Sequence, residues 1–178
     1  LQQAGVLTSH HLRAMPLDLL AMGQGEGPGC YCSVNHALAT VLGQIMAHYD
    51  LVLVDNEAGL EHLSRYRLKR VDLFLVVTTP GQAAQSVARR ILDTARRAGM
   101  ELSETGIIVN RVTNWDLLTR SSRNGLTVPG TTGCSVPVPN SQAVTVLDLM
   151  GQPVVTLPGG SPVREALAPI VEQLLACA

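Results

Sequence analysis

The sequence predicts an α/β fold, a mostly parallel sheet with helices on both faces. Two patterns alternate along the chain. Short apolar runs, LVLV at Leu51–Val54, VDLFLVV at Val71–Val77 and Gly106–Val109, are too short for helices and carry few polar residues, as strands covered on both sides do. Between them, apolar residues recur at intervals of three and four, the stripe of an amphipathic helix. Composition agrees: 46% of the 178 residues are hydrophobic but only 3% are aromatic, so the core has to be built from Leu, Val, Ile and Ala. Strand–helix alternation of this kind predicts right-handed βαβ units around one sizeable core.

In chain order, Leu17–Met22 (LDLLAM) is the first expected strand, with Met15 and Pro16 marking its start. Gly23–Cys32 (GQGEGPGCYC) is too rich in Gly and Pro for regular structure. From Ser33, an available N-cap, the positions Val34, Ala37, Leu38, Val41, Leu42, Ile45 and Met46 form one helical face. Strand Leu51–Val54 follows and ends at Asp55; strand Val71–Val77 ends in the turn Thr78–Gly81. The next helix places Ala84, Val87, Ala88, Ile91, Leu92, Ala95 and Ala98 on one face, turns Arg89, Arg90, Arg96 and Arg97 toward water, and closes at Gly99. Gly106–Val109 leads to Asn110 and Arg111. Trp115–Arg120 suits a short helix, and Asn124–Gly133 a turn-rich loop. Cys134–Val138 reads as a strand whose Pro137 and Pro139 fit an edge. Gln142–Leu149 is expected to be helical, Pro153–Leu157 a last short strand, and Ser161 with Pro162 the start of a final helix on which Val163, Ala166, Leu167, Ile170, Val171, Leu174 and Leu175 make one apolar face.

In a parallel sheet the strand ends share one rim, which would gather Asp55, Thr78–Gly81, Asn110 and Pro137–Asn140 into a candidate site. A carboxylate at the end of a buried strand is how phosphate-processing folds hold the water shell of Mg²⁺; an acidic loop residue after a core strand is the plainer alternative for Asp55. Cys30 and Cys32 flank Tyr31, and alternate positions of an extended segment point the same way, so two thiolates can face one soft ion. A closed zinc site takes four ligands, so this pair is half a site, completed by a second copy across a twofold axis; two unconnected thiols are the alternative. A shared structural zinc supplies roughly 10–16 kcal/mol in small domains, enough to hold such a dimer. His10, His11, His36, His48 and His62 read as surface residues, with His62 within reach of the metal or a partner.

The formal charge of −1 and the lack of a basic tract argue against a nucleic-acid or anionic-membrane footprint. No apolar run reaches membrane-span length and no leader pattern opens the chain, so the expectation is a cytoplasmic protein. Lys69, preceded by Leu68, is the one lysine, so the glycine-rich loop and lysine of a phosphate-binding P-loop do not occur. The chain opens on Leu1 in mid-pattern and is expected to be a fragment of something longer, a natural pseudo-enzyme being the other account.

GPGCYCSVNHAL and YDLVLVDNEAGLEHLSR together resemble the CooC family, nickel-insertion ATPases that serve carbon monoxide dehydrogenase within the MinD and nitrogenase-iron-protein (SIMIBI) class of P-loop NTPases. The likeness runs from about Leu17 to the C-terminus. It implies that residues 1–178 are the C-terminal portion of a single nucleotide-binding domain lacking the P-loop strand, from an ATP- and Mg²⁺-dependent dimer that delivers nickel to the dehydrogenase. By resemblance Asp55 is the Walker B acid, Asn56, Glu57 and Gly59 belong to the switch that senses the γ-phosphate, Asn110 bonds adenine, and the backbone about Pro137 closes over that base, an ordinary strand end being the alternative for the last. Cys30 and Cys32 would hold Zn²⁺ or Ni²⁺ between two copies. Without the P-loop the chain alone is expected not to hydrolyse ATP, and Leu51–Val54 should keep an unpaired flank. A catalytically silent metal-bridged module and a generic MinD- or ParA-type fragment are the competing functions.

Overall fold

The computed structural model describes residues 7–12, 17–22, 40–56, 70–114 and 135–177. The chain divides into two units, Leu1–Leu68 and Lys69–Ala178.

In the first unit, β1 (Leu7–Leu12) and β2 (Leu17–Met22) pair antiparallel, from Leu7 opposite Met22 to Leu12 opposite Leu17. The strand expected at Leu17–Met22 is present, but its partner is a hairpin arm and not a parallel neighbour: four residues separate the two strands, and only antiparallel strands can be joined so tightly. Residues 40–45 are helical (α1) and tighten into a 3₁₀ turn at Met46–His48. Val41, Leu42, Ile45 and Met46 are half-buried while Gly43 and Gln44 are exposed, the spacing expected of a helical stripe. The helix stops where Tyr49 turns extended, with φ −122° and ψ 136°. Tyr49 Oη then donates to Asp18 Oδ2 at 2.6 Å, tying the chain after the helix to β2.

Leu51–Val54 departs from expectation. Residues 51–56 form no strand, and Leu51, Leu53 and Val54 are 43%, 71% and 37% exposed. An apolar run becomes a strand only where a neighbouring backbone completes its hydrogen bonds. Within this unit β1 and β2 pair with each other, and no described strand pairs with 51–54.

The second unit holds the parallel sheet. Strands β3 (Arg70–Thr78), β4 (Glu101–Val112) and β5 (Ser135–Pro139) lie in the order β3-β4-β5, all parallel. Helix α2 (Gln82–Arg97) covers one face: Ala88 and Leu92 pack with Val76, Ile107, Val109 and Val112, flanked by Phe74 and Ile91. The opposite face packs Leu75, Ile108, Val136 and Val138 beneath α3 (Gln142–Leu149) and α4 (Pro162–Cys177), through Val144, Leu147, Val163, Leu167 and Ile170. Side chains of a strand alternate between faces, so consecutive residues such as Leu75 and Val76 serve the two helical layers in turn. This explains why the strands read as almost unbroken apolar runs.

Helix termini follow their local chemistry. After α2, Gly99 takes φ +79°; its N–H donates to the carbonyl of Arg96 at 3.0 Å and the N–H of Met100 to that of Ala95 at 3.2 Å, the paired bonds of a Schellman stop. Gly151, at φ +62°, repeats it after α3 with bonds to Asp148 (3.1 Å) and, from Gln152, to Leu147 (2.8 Å). Ser161 Oγ accepts from Arg164 N at 3.3 Å ahead of Pro162 in the first turn of α4, as expected. Arg89, Arg90, Arg96 and Arg97 are exposed along α2.

The strand expected at Pro153–Leu157 is instead a 3₁₀ turn, Val154–Thr156. Thr156 closes it on itself, its N–H and its Oγ1 both bonding the carbonyl of Pro153 at 3.0 and 2.8 Å. Of the run only Leu157 is buried, and Arg164 donates to its carbonyl at 2.8 Å.

Leu92 is 1% exposed at the centre of the α2 face, whereas Leu149, at the end of α3, is 82% exposed. Urea unfolding followed by circular dichroism should show Leu92→Ala losing about 2–5 kcal/mol and Leu149→Ala close to the parent; equal losses would contradict this packing. The hydrogen bond to Asp18 raises the Tyr49 phenol above its ordinary value of 10.0 by favouring the protonated form. The contact is therefore intact below that ordinary value and is lost as pH rises through the raised one. Absorbance titration should show Asp18→Asn returning the Tyr49 component to the ordinary range, with Tyr49→Phe identifying which component it is.

Candidate functional site

Because β3, β4 and β5 are parallel, their carboxyl ends share an edge. Thr78 pairs with Val109 and Val109 with Pro137, so the ends of the three strands are level across the sheet. Asn110 comes one residue after that line, and Pro80 and Gly81 lead from β3 into α2. Thr78–Gly81, Asn110 and Pro137–Asn140 are thus gathered at one rim, as expected from the sequence.

Pro137 and Pro139 sit on β5, which has no described strand beyond it. An edge strand tolerates proline because one side of its backbone needs no ladder partner. Asn140 N–H donates to the carbonyl of Val112 at 2.9 Å, so the turn after β5 is fastened to the end of β4. Ser141 then caps α3, its Oγ accepting from Val144 N at 3.5 Å.

The end of β4 is irregular in a way the sequence does not signal. From Val109 to Val112 the strand advances three residues, while β5 advances two, from Pro137 to Pro139. One extra residue is a β-bulge, and it reverses the inside-out alternation, so Val112 returns to the face that holds Ile107 and Val109. Arg111 absorbs the irregularity with φ 60°, the left-handed region that costs a non-glycine residue roughly 1–2 kcal/mol. Its N–H donates to Asn110 Oδ1 at 2.9 Å. Asn110 is half-buried and Arg111 exposed.

Of the remaining expected site residues, two are described, both in the first unit. Asp55 and Asn56 are exposed at the end of 51–56, in the first unit, so Asp55 follows an irregular segment and not the buried strand expected of it. Glu57, Gly59, Cys30 and Cys32 lie outside the described residues. Among the described residues no cluster of three or more His, Cys, Asp or Glu could hold a metal ion, and no helix is long and apolar enough to cross a membrane. Sequence reasoning missed Arg111, whose left-handed backbone is unexpected because that region ordinarily selects Gly or Asn.

The relatives agree with a nucleotide fold. An uncharacterised ATP-binding protein of Methanocaldococcus jannaschii is 32% identical over 161 residues, 89% of this chain and 61% of that protein. The carbon monoxide dehydrogenase accessory protein CooC of Rhodospirillum rubrum is 32% identical over 116 residues, 57% of this chain and 44% of its own length. The septum site-determining protein MinD of Thermotoga maritima is 28% identical over 74 residues, 42% of this chain and 27% of that protein. The chain thus spans less than two thirds of each of these relatives. No protein-family model matches it. In three dimensions the crystal structure of the cell division ATPase MinD from Pyrococcus furiosus aligns with a TM-score of 0.57 and 19% identity, over 81% of this chain and 59% of that one. The parallel sheet with helices on both faces is therefore part of a P-loop NTPase fold, and the chain's relatives are ATP-binding proteins of the MinD and CooC kind.

Proposed function

We propose that this chain is the base-binding, C-terminal portion of an ATPase of the MinD and CooC kind, and that the rim of β4 and β5 holds the adenine of ATP. The observation that carries the reading is that Asn110 comes one residue after Val109, the register partner of Pro137, at the carboxyl edge of the sheet, in a chain 32% identical over 89% of its length to an ATP-binding protein. A side-chain amide can hydrogen-bond a base edge. In this proposal Asp55 orients Mg²⁺ through water, and Asn56, Glu57 and Gly59 respond to the γ-phosphate. Bound ATP supplies the phosphoryl group to be transferred. This chain's residues grip the base and turn nucleotide state into a change at the switch.

The finer proposal is nickel handling for carbon monoxide dehydrogenase, supported by the likeness to CooC and by the CxC pair. Cys30 and Cys32 of two copies would then enclose Zn²⁺ or Ni²⁺ with four thiolates and join a homodimer. The competing proposal is a MinD-type ATPase portion without metal transfer, favoured by the structural likeness to MinD.

Two experiments test these readings. A fluorescent ATP analogue should bind the chain, and Asn110→Ala should weaken that binding about tenfold while shifting the urea unfolding free energy by no more than about 1 kcal/mol; unaltered affinity would remove the base-site reading. Zn²⁺ or Ni²⁺ should convert monomer to dimer in light scattering, and the Cys30→Ser, Cys32→Ser double variant should stay monomeric. Identical behaviour of variant and parent would leave the MinD-type reading in place of nickel handling.

A further inference from the structure

The bulge at the end of β4 gives Asn110 a definite polarity. Arg111 is the one non-glycine residue with a left-handed backbone among those described, at φ 60°, where bulges of this kind ordinarily place glycine. That conformation turns the Arg111 N–H back onto the preceding side chain, where it meets Asn110 Oδ1 at 2.9 Å. A backbone N–H can only donate, so the two ends of the Asn110 amide are assigned by chemistry: oxygen inward, amine at the other end. No bond from the amine to another group is found among the described residues, and Asn110 is half-buried at the rim.

We propose that Arg111 is a positioning residue, whose left-handed backbone locks Asn110 with its amine outward, so that the rim selects ligands by a hydrogen-bond acceptor. For a purine nucleotide that acceptor is a ring nitrogen, and the exocyclic amine contributes little to what Asn110 reads. The device resides in the backbone of Arg111; its guanidinium takes no part. Two neighbours hold the lock from below, since Val109 and Val112 are both buried on the α2 face and the extra residue between them has no other place to go. This inference rests on the nucleotide reading above, and its test separates the two.

The test compares the parent chain with Arg111→Gly, which keeps both the N–H and the left-handed region, and Arg111→Val, whose branched side chain disfavours that region. Competition binding would use ATP, its 1-, 3- and 7-deaza analogues, and the analogue lacking the 6-amine. The parent and Arg111→Gly should lose about tenfold with one deaza analogue and less than about twofold without the 6-amine. Arg111→Val should bind ATP about tenfold more weakly and no longer discriminate that deaza analogue. Equal losses in Arg111→Gly and Arg111→Val, or a parent indifferent to every deaza analogue, would overturn the assignment. A readout that needs no nucleotide is the Asn110 side-chain amide in ¹⁵N relaxation, identified by its disappearance in Asn110→Ala. It should be ordered in the parent and Arg111→Gly and mobile in Arg111→Val. An ordered amide in a parent that binds no nucleotide would refute the nucleotide reading and uphold the positioning role, whereas equal order in Arg111→Val would overturn that role.

Discussion

The parallel ladder from β3 through β4 to β5 constrains everything else in the 69–178 unit. Parallel strands cannot be joined by a tight turn, so the chain must cross back over a face of the sheet before each new strand begins. The crossing from β3 to β4 is α2, and its small and apolar residues, Ala88, Leu92 and Ala95, fit it closely to the strands below. Every strand therefore finishes at the same edge. Thr78, Asn110 and Pro137, separated by long stretches of sequence, arrive side by side for that reason alone.

The same ladder shapes the end of β4. Val109 and Val112 both belong to the core under α2, yet a regular strand would place residues three apart on opposite faces. Only an extra residue reconciles the two, and Arg111 supplies it in a conformation that arginine does not favour. Packing on one side of the sheet thus produces a polar, oriented amide at its edge. Strain of this kind persists only where surrounding contacts over-determine it, here the buried valines and the bond from Asn140 to the Val112 carbonyl.

The 1–68 unit follows a different logic. Its strands pair with each other in a hairpin, and the contact from Tyr49 to Asp18 ties the segment after α1 to that hairpin. Leu51–Val54 has the composition of a buried strand and the exposure of a loop, because apolar, β-branched residues describe what a segment can do once a partner backbone is present. Asp55 follows it into solvent. Pro153–Leu157 teaches the same lesson: Thr156 bonds the Pro153 carbonyl and turns a strand-like run into a 3₁₀ turn.

Local chemistry made most of this architecture legible. The stripe through Ala88, Leu92 and Ala95, the stop at Gly99, the start at Ser161 and Pro162, and the edge character of Pro137 and Pro139 were readable because each depends on interactions within a few residues or on a period the backbone enforces. The rim itself could be anticipated, since strand–helix alternation implies one direction for the strands. Tertiary structure decided the rest: whether Leu51–Val54 finds a ladder, that Leu17–Met22 pairs antiparallel, and that β4 carries a bulge which sets the polarity of Asn110. Those outcomes depend on which distant backbone supplies the opposite hydrogen bond and which face of the sheet still has room, and neither is encoded in the segment that responds.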